Sequence, residues 1–308
     1  MTRRRLVEWA SGIKIFDANL SKGYTHASNP TAIPLGGSLY RVFYGARDES
    51  NRSIVRAFDL DVEEMRVVDH LPGNVFDALK PGSYYQDGVG LGGAVLENDS
   101  WVIYFMGWRN PGGKQHWRGE IGRLELDAGL RKGVVKQTNP AIGISEFDPV
   151  SLSYPGFLQF SESDVQMWFG TTTSWDAGNG EMLHVLRKCV RSREGAWEPQ
   201  DLVLPHSIGS MQAFSRPTFL VSDLDHVEMY FSYRGSPPDR YKIGRAVSTD
   251  RGSSWSDPEP VANLSSGLSW DSDMQEYPFV FLHNGTPFML YNGNQYGFTG
   301  IGLSVGTQ

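Results

Sequence analysis

The chain has 308 residues, a net charge of −7 and 20% charged residues, with 40% hydrophobic and 12% aromatic content. That balance supplies a core and excludes a disordered class, and the acidic charge argues against nucleic acid, whose binding leans on clustered Lys and Arg. One cysteine, Cys189, excludes an internal disulfide framework and reads as a small apolar filler.

At the amino end, Arg3-Arg4-Arg5 reads as a solvated tail, and Leu6-Val7-Glu8-Trp9 is too short and polar for a secretory signal. No apolar run reaches 18 residues, so no membrane span is expected and the chain reads as cytoplasmic.

From Pro30 onward one unit recurs. A Pro- or Gly-led apolar strand passes a polar turn into a second apolar strand, and the second strands finish at Gly45, Gly107, Gly170, Ser232 and Asn292, at intervals of 62, 63, 62 and 60 residues. Pro30, Gly92, Pro155 and Pro217 each precede these ends by 15 residues, and Pro278 by 14. The turns between them, including Leu35–Ser38, Glu97–Ser100 and Asn284-Gly285, carry the residues that hairpins favour. Third strands follow at Ser53–Leu60, Gly119–Leu126, Met182–Val190, Tyr241–Ser248 and Thr299–Val305, with a weaker fourth in most units.

Such a period marks supersecondary units that must stack on neighbours. The pattern predicts an all-β fold over 1–308: one domain, a five-bladed β-propeller of four-stranded antiparallel blades around a central channel. A sandwich predicts no such period, and a β-helix needs a shorter one. Ser248-x-Asp250-x-Gly252-x-x-Trp255 resembles the Asp-box turn of several propeller families, a folding device without a catalytic role.

In a propeller, the segments before strand one and after strand two share a face. After strand two come Arg47 and Asp48, then Trp108, Trp175-Asp176, Arg234 and Tyr296; before strand one come His26 and Asn29, Asp87, Asp148, Arg216, and Asp271 with Glu276. Aromatic faces suit sugar C–H surfaces, whereas Asp, Asn and Arg suit hydroxyls and anions. Carboxylates arriving from different blades are what glycosidic chemistry uses. Asp48, Asp148 and Asp271 equally suit turn capping, and Arg216, preceding Pro217, is expected to be extended and to need an anion. His26, His116, His184 and His206 lack metal-ligand spacing, and no phosphate- or dinucleotide-binding motif is present, so neither metal nor cofactor is expected.

With the blades placed, the whole chain resembles the five-bladed propeller superfamily of sugar-active proteins, the family 43, 32, 62, 68 and 130 glycoside hydrolases. Tyr230–Gly235, Tyr241–Ala246 and Trp270–Asp273 with Tyr291–Gly297 are similar to uncharacterised members that accompany bacterial surface-polysaccharide synthesis genes. The resemblance implies a carbohydrate-active enzyme that cleaves or transfers a glycosyl unit. It also implies an Asp opening strand one of the first blade, where this chain has Asn29-Pro30. Asp87 and Glu276 are the principal acid/base candidates, with Asp48, Asp148 and Asp271 as alternates. Asn29 lies at the substrate, Arg47, Arg216 and Arg234 serve an anionic group, and Trp108, Trp175 and Tyr296 stack on sugar. The ligand class is a carbohydrate or sugar phosphate. A glycosyltransferase or phosphorylase using an anionic donor, and an inactive sugar-binding propeller, stand as alternatives.

Overall fold

The 62-residue period is the repeat of a β-propeller. The computed structural model describes residues 6–110, 117–161, 164–175, 182–192, 195–223 and 225–307. The basic run Arg3-Arg4-Arg5, His116 and Asp176 lie outside the described residues.

Five consecutive antiparallel groups form the blades. Each places an inner strand first: Thr25–Gly36, Gly88–Glu97, Leu152–Gln159, Gln212–Asp223 and Glu276–His283. Second strands follow at Leu39–Arg47, Ser100–Arg109, Val165–Trp175, His226–Arg234 and Thr286–Asn292, then third strands at Ser53–Asp61, Arg118–Leu126, Met182–Arg191, Lys242–Ser248 and Ile301–Thr307. The hairpin at Asn284-Gly285 has both central residues at positive φ, 49° and 77°, and Asn98-Asp99 does the same at 48° and 60°. These mirror-image turns match the strand twist, which is why Asn, Asp and Gly occupy them.

Outer strands vary from Trp197–Leu204 and Arg66–His70 down to Gly133–Val134 and Glu259–Pro260, and the fifth blade borrows its own from the chain's start. Glu8–Trp9 and Ile13–Phe16 both pair with Ile301–Thr307. Trp9 is buried against Tyr230, and Phe16 stacks on Phe58, so this closure also packs against neighbouring blades. The period alone did not reveal it, because 62-residue units counted from Pro30 leave the fifth incomplete. Between blades lie aromatic layers, such as Tyr84, Tyr85, Phe76 and Phe105 between the first and second.

The Asp-box turn behaves as a fastening device. Asp250 accepts from the Ser253 and Ser254 backbone N–H groups, and Trp255 packs edge-on against Trp168. Cys189 is buried, and that burial pushes its thiol up to about 12, in keeping with an inert filler. No helix among the described residues is long and apolar enough to cross a membrane.

Candidate active site at the channel mouth

Every inner strand breaks register at the same level. The shifts fall at Ser28/Thr31, Leu91/Ala94, Ser153/Gly156, Ser215/Thr218 and Glu276/Phe279, next to the Pro or Gly that marks each repeat. Four residues at this bulge are left-handed: Asn29, Tyr154, Arg216 and Tyr277, with φ of 53°, 27°, 51° and 55°. A residue before proline favours extended backbone, so this conformation is held against local preference by the surrounding sheet. Arg216 was expected to be extended and is not; the bulge overrides the dipeptide rule.

Arg216 also departs from its expected partner. It is buried, and its guanidinium donates to the carbonyls of Leu91 and Pro30, to Gly92 O at 3.4 Å, to Tyr277 O at 3.4 Å and to Thr31 Oγ1 at 3.1 Å. Backbone oxygens from three other blades thus satisfy the cation, and no anion is needed. Burial lowers its pKa to about 9. This corrects its assignment to an anionic ligand: it ties blades together across the channel. The inner strands crowd here, since a Cβ on Gly156 would stand 1.8 Å from Pro217 O and one on Gly92 2.3 Å from Pro155 O. Beyond Arg216 a cavity of about 170 Å³, lined by Gly93, Phe157, Phe219 and Phe279, holds no titratable side chain other than Arg216 itself. The titratable candidates lie instead at the end where the inner strands begin.

At that end one position separates the fifth blade from its siblings. Cross-strand partners there are Ser28 and Gly45, Ser153 and Gly170, Ser215 and Ser232; in the fifth blade they are Glu276 and Asn292. Glu276 is fully buried. Its Oε1 accepts from Asn292 Nδ2 at 3.1 Å, and Oε2 has no hydrogen-bond partner among the described residues. Asn292 Oδ1 accepts the backbone N–H of Asn29 at 3.2 Å, and Asn29 Nδ2 is likewise buried without a partner. Burial raises the Glu276 carboxyl well above the carboxylate range, outweighing the lowering by Asn292, Arg47 and the Tyr296 backbone N–H.

Tyrosines surround this carboxyl. Tyr154 and Tyr277 lie 5.0 Å apart by ring centroid, Tyr241 and Tyr296 lie 6.2 Å apart, and the Arg234 guanidinium sits 5.8 Å over the Tyr241 ring. Glu276 acts electrostatically on Tyr154, Tyr241, Tyr277 and Tyr296, and Arg47 acts on Tyr154 and on Glu276 itself. Tyr296 is 42% exposed in the Asn294–Gly297 turn, where Gln295 and Tyr296 are both left-handed; that turn carries the Tyr296 N–H toward Glu276. Tyr154, Tyr241 and Tyr277 were not among the expected site residues. Their signal was the pre-proline position for two of them, and the strand-three start beside Arg234 for the third.

The remaining acids are held elsewhere. Asp48 caps its own loop, accepting from the Ser50 and Arg52 backbone N–H groups at 2.9 Å and from Arg52 Nε. Asp148 is buried and its Oδ1 accepts from Thr171 Oγ1 at 2.6 Å and Arg187 Nε at 2.8 Å, while its Oδ2 is buried without a partner among the described residues. Asp271 is buried, fastening Ser266 and the Tyr291 hydroxyl. Asp87 is half-buried at the start of the second blade's inner strand and accepts the Asn110 N–H at 2.7 Å. Trp108 and Trp175 stand at the ends of second strands, Trp175 39% exposed. His26 bonds Thr25 Oγ1, and burial with Arg47 lowers it to about 4. Among the described residues no group of three or more His, Cys, Asp or Glu could hold a metal ion.

No protein-family model matches the chain. Two uncharacterized Mycobacterium tuberculosis proteins, Rv1502 of strain H37Rv and MT1551 of strain CDC 1551, are each 35% identical over 286 residues, covering 91% of this chain and 92% of theirs. Among solved structures, a glycoside hydrolase aligns at a TM-score of 0.75 with 12% identity, covering 97% of this chain and 91% of its own. An endo-arabinase from Bacteroides thetaiotaomicron aligns at 0.64 with 13% identity, covering 96% of each chain. A structure from work on the GH130 family of mannoside phosphorylases, containing glycoside hydrolases that target β-1,2 mannosidic linkages, aligns at 0.65 with 10% identity, covering 99% and 95%. The chain therefore belongs to the family of Rv1502, and its fold is the propeller of the glycoside hydrolases.

Proposed function

We propose that this chain is a glycoside hydrolase-like enzyme that cleaves or transfers a glycosyl unit at the channel mouth, with Glu276 as the general acid. One observation carries the reading: a fully buried carboxyl, raised well above its ordinary range, keeps one oxygen without a partner among the described residues, beside an Asn29 amide that likewise has none. A neutral carboxyl there holds a proton to deliver to the leaving glycosidic oxygen as the C–O bond breaks. Asn29 Nδ2 provides a donor for a sugar hydroxyl, and Tyr296, Trp108 and Trp175 provide stacking faces. Asp87, with one oxygen engaged by Asn110, is the second carboxylate and activates the attacking hydroxyl or water. Solved structures of glycoside hydrolases with the same fold support the chemistry.

A second reading has its own support. Glu276 acts electrostatically on all four tyrosines and Arg47 and Arg234 stand beside them, which fits transfer to an anionic acceptor that takes over the role of a protein base. Product analysis separates the two: a free reducing sugar marks hydrolysis, and a new glycosidic bond or a sugar phosphate marks transfer. Loss of both in Glu276→Gln is expected. Full activity of that variant, with an identified substrate, overturns the acid assignment.

A further inference from the structure

Three arginines lie near the tyrosines and Glu276 in an acidic protein. Arg47 acts electrostatically on Tyr154 and Glu276, Arg234 on Tyr241 and Tyr296, and Arg240 on Tyr296, beside the Glu276 carboxyl. Arg234 lies over Tyr241 and donates to Gly235 O at 3.1 Å, so it is built into the wall. Arg47 differs. It is half-buried at the end of its strand, opposite Thr25. Among the described residues no carboxylate pairs with it, and its one side-chain hydrogen bond goes to Asn51 Oδ1 at 3.2 Å, an exposed contact. The nearest acid in sequence, Asp48, is consumed by Arg52 and its own loop. From other blades, Asp87 accepts the Asn110 N–H, Asp148 accepts from Thr171 and Arg187, and Asp271 accepts from Ser266 and Tyr291, so among the described residues none of these carboxylates pairs with Arg47.

We infer that the sugar entering this site carries an anionic group, a carboxylate or a phosphate, which Arg47 binds while the sugar ring meets Asn29 and Glu276. Guanidinium geometry suits both anions through paired N–H donors. The buried, unpartnered Glu276 Oε2 and Asn29 Nδ2 mark where the neutral part of the same ligand sits. Arg216, buried in the channel, is spent on backbone carbonyls, whereas Arg47 stands half-buried at the rim with no carboxylate partner among the described residues. The inference rests on the sugar site proposed above and narrows its substrate class.

The test is calorimetric titration of the full chain with a panel: uronic acids, hexose 1-phosphates, the neutral hexoses of matching configuration, and inorganic phosphate alone. At least one anionic sugar should bind about tenfold or more tightly than its neutral counterpart, and Arg47→Met should erase that difference while Arg47→Lys keeps part of it. The Arg47→Met fold is checked by its thermal transition, expected within a few degrees of wild type because only the Asn51 contact is lost. Preference for uronic acids identifies the carboxylate source, and preference for 1-phosphates with competition by inorganic phosphate identifies the phosphate source. Neutral sugars binding equally well, with loss in Glu276→Gln, overturn the anionic inference and leave the sugar site standing. No binding by any member of the panel overturns both.

Discussion

Asn292 donates its side-chain amide to Glu276 across the fifth blade at 3.1 Å, at the level where three other blades pair Ser with Gly or Ser. Through its other end it holds the Asn29 backbone, joining the first and last blades beside the acid. Replacing Asn292 with Ala leaves a buried carboxyl and a buried N–H without their partner. Stability should fall by about 1–3 kcal/mol, read from the denaturant midpoint. A neutral result would mean that the pair contributes nothing to closure.

Glu276 makes stability depend on pH. Unfolded, the carboxyl loses its proton near 4.5, whereas the folded site keeps it to higher pH because burial disfavours the charge. Its contribution is complete below about 4.5 and is lost as pH rises through the folded value. Glu276→Gln carries no proton to lose, so the melting temperature of wild type should decline relative to the variant as pH rises from 5 to 9. A constant difference across that range would contradict a neutral carboxyl.

Arg216 is the opposite case, a buried cation held by carbonyls. Arg216→Met removes donors from the oxygens of Leu91, Pro30 and Tyr277 at once, and each buried group left unpaired costs about 1–3 kcal/mol. A loss of about 3 kcal/mol or more is expected in urea unfolding. Unchanged stability would show that the channel does not need this tie.

His184 sets an acid limit. Its Nδ1 lies 2.9 Å from Thr172 Oγ1, the ring stacks on Trp117, and burial followed by His206 lowers it from 6.5 to about 4. Between those values the unfolded chain takes up the proton first, so stability drops by about 3 kcal/mol as pH falls from 7 to 4. His184→Gln should flatten that part of the acid profile, measured by thermal melts; an unaltered profile would assign the acid sensitivity to other groups.

The period made the fold legible because each repeat writes its own Pro or Gly, turn and strand end. Closure by Glu8–Trp9 and Ile13–Phe16 was not, since those strands acquire meaning only beside Ile301–Thr307, nearly 300 residues away. Glu276 and Asn29 stood out as candidates from their place before strand one, where Asn292 links them in the fold. The fate of Asp48, Asp148 and Asp271 was not, because a carboxylate beside Ser, Gly or Asn looks the same whether it caps a turn or faces a ligand. Arg216 was misjudged for a related reason: a left-handed bulge before proline is set by the neighbouring inner strands, not by the dipeptide.

The central claim is that the neutral, half-satisfied Glu276 carboxyl performs acid catalysis on a sugar. Its most direct test is sugar release or transfer from an oligosaccharide panel by wild type and Glu276→Gln side by side, with matched thermal transitions. Wild type should turn over at least one member and the variant about 100-fold or more slowly. Equal rates in the two proteins would contradict the claim.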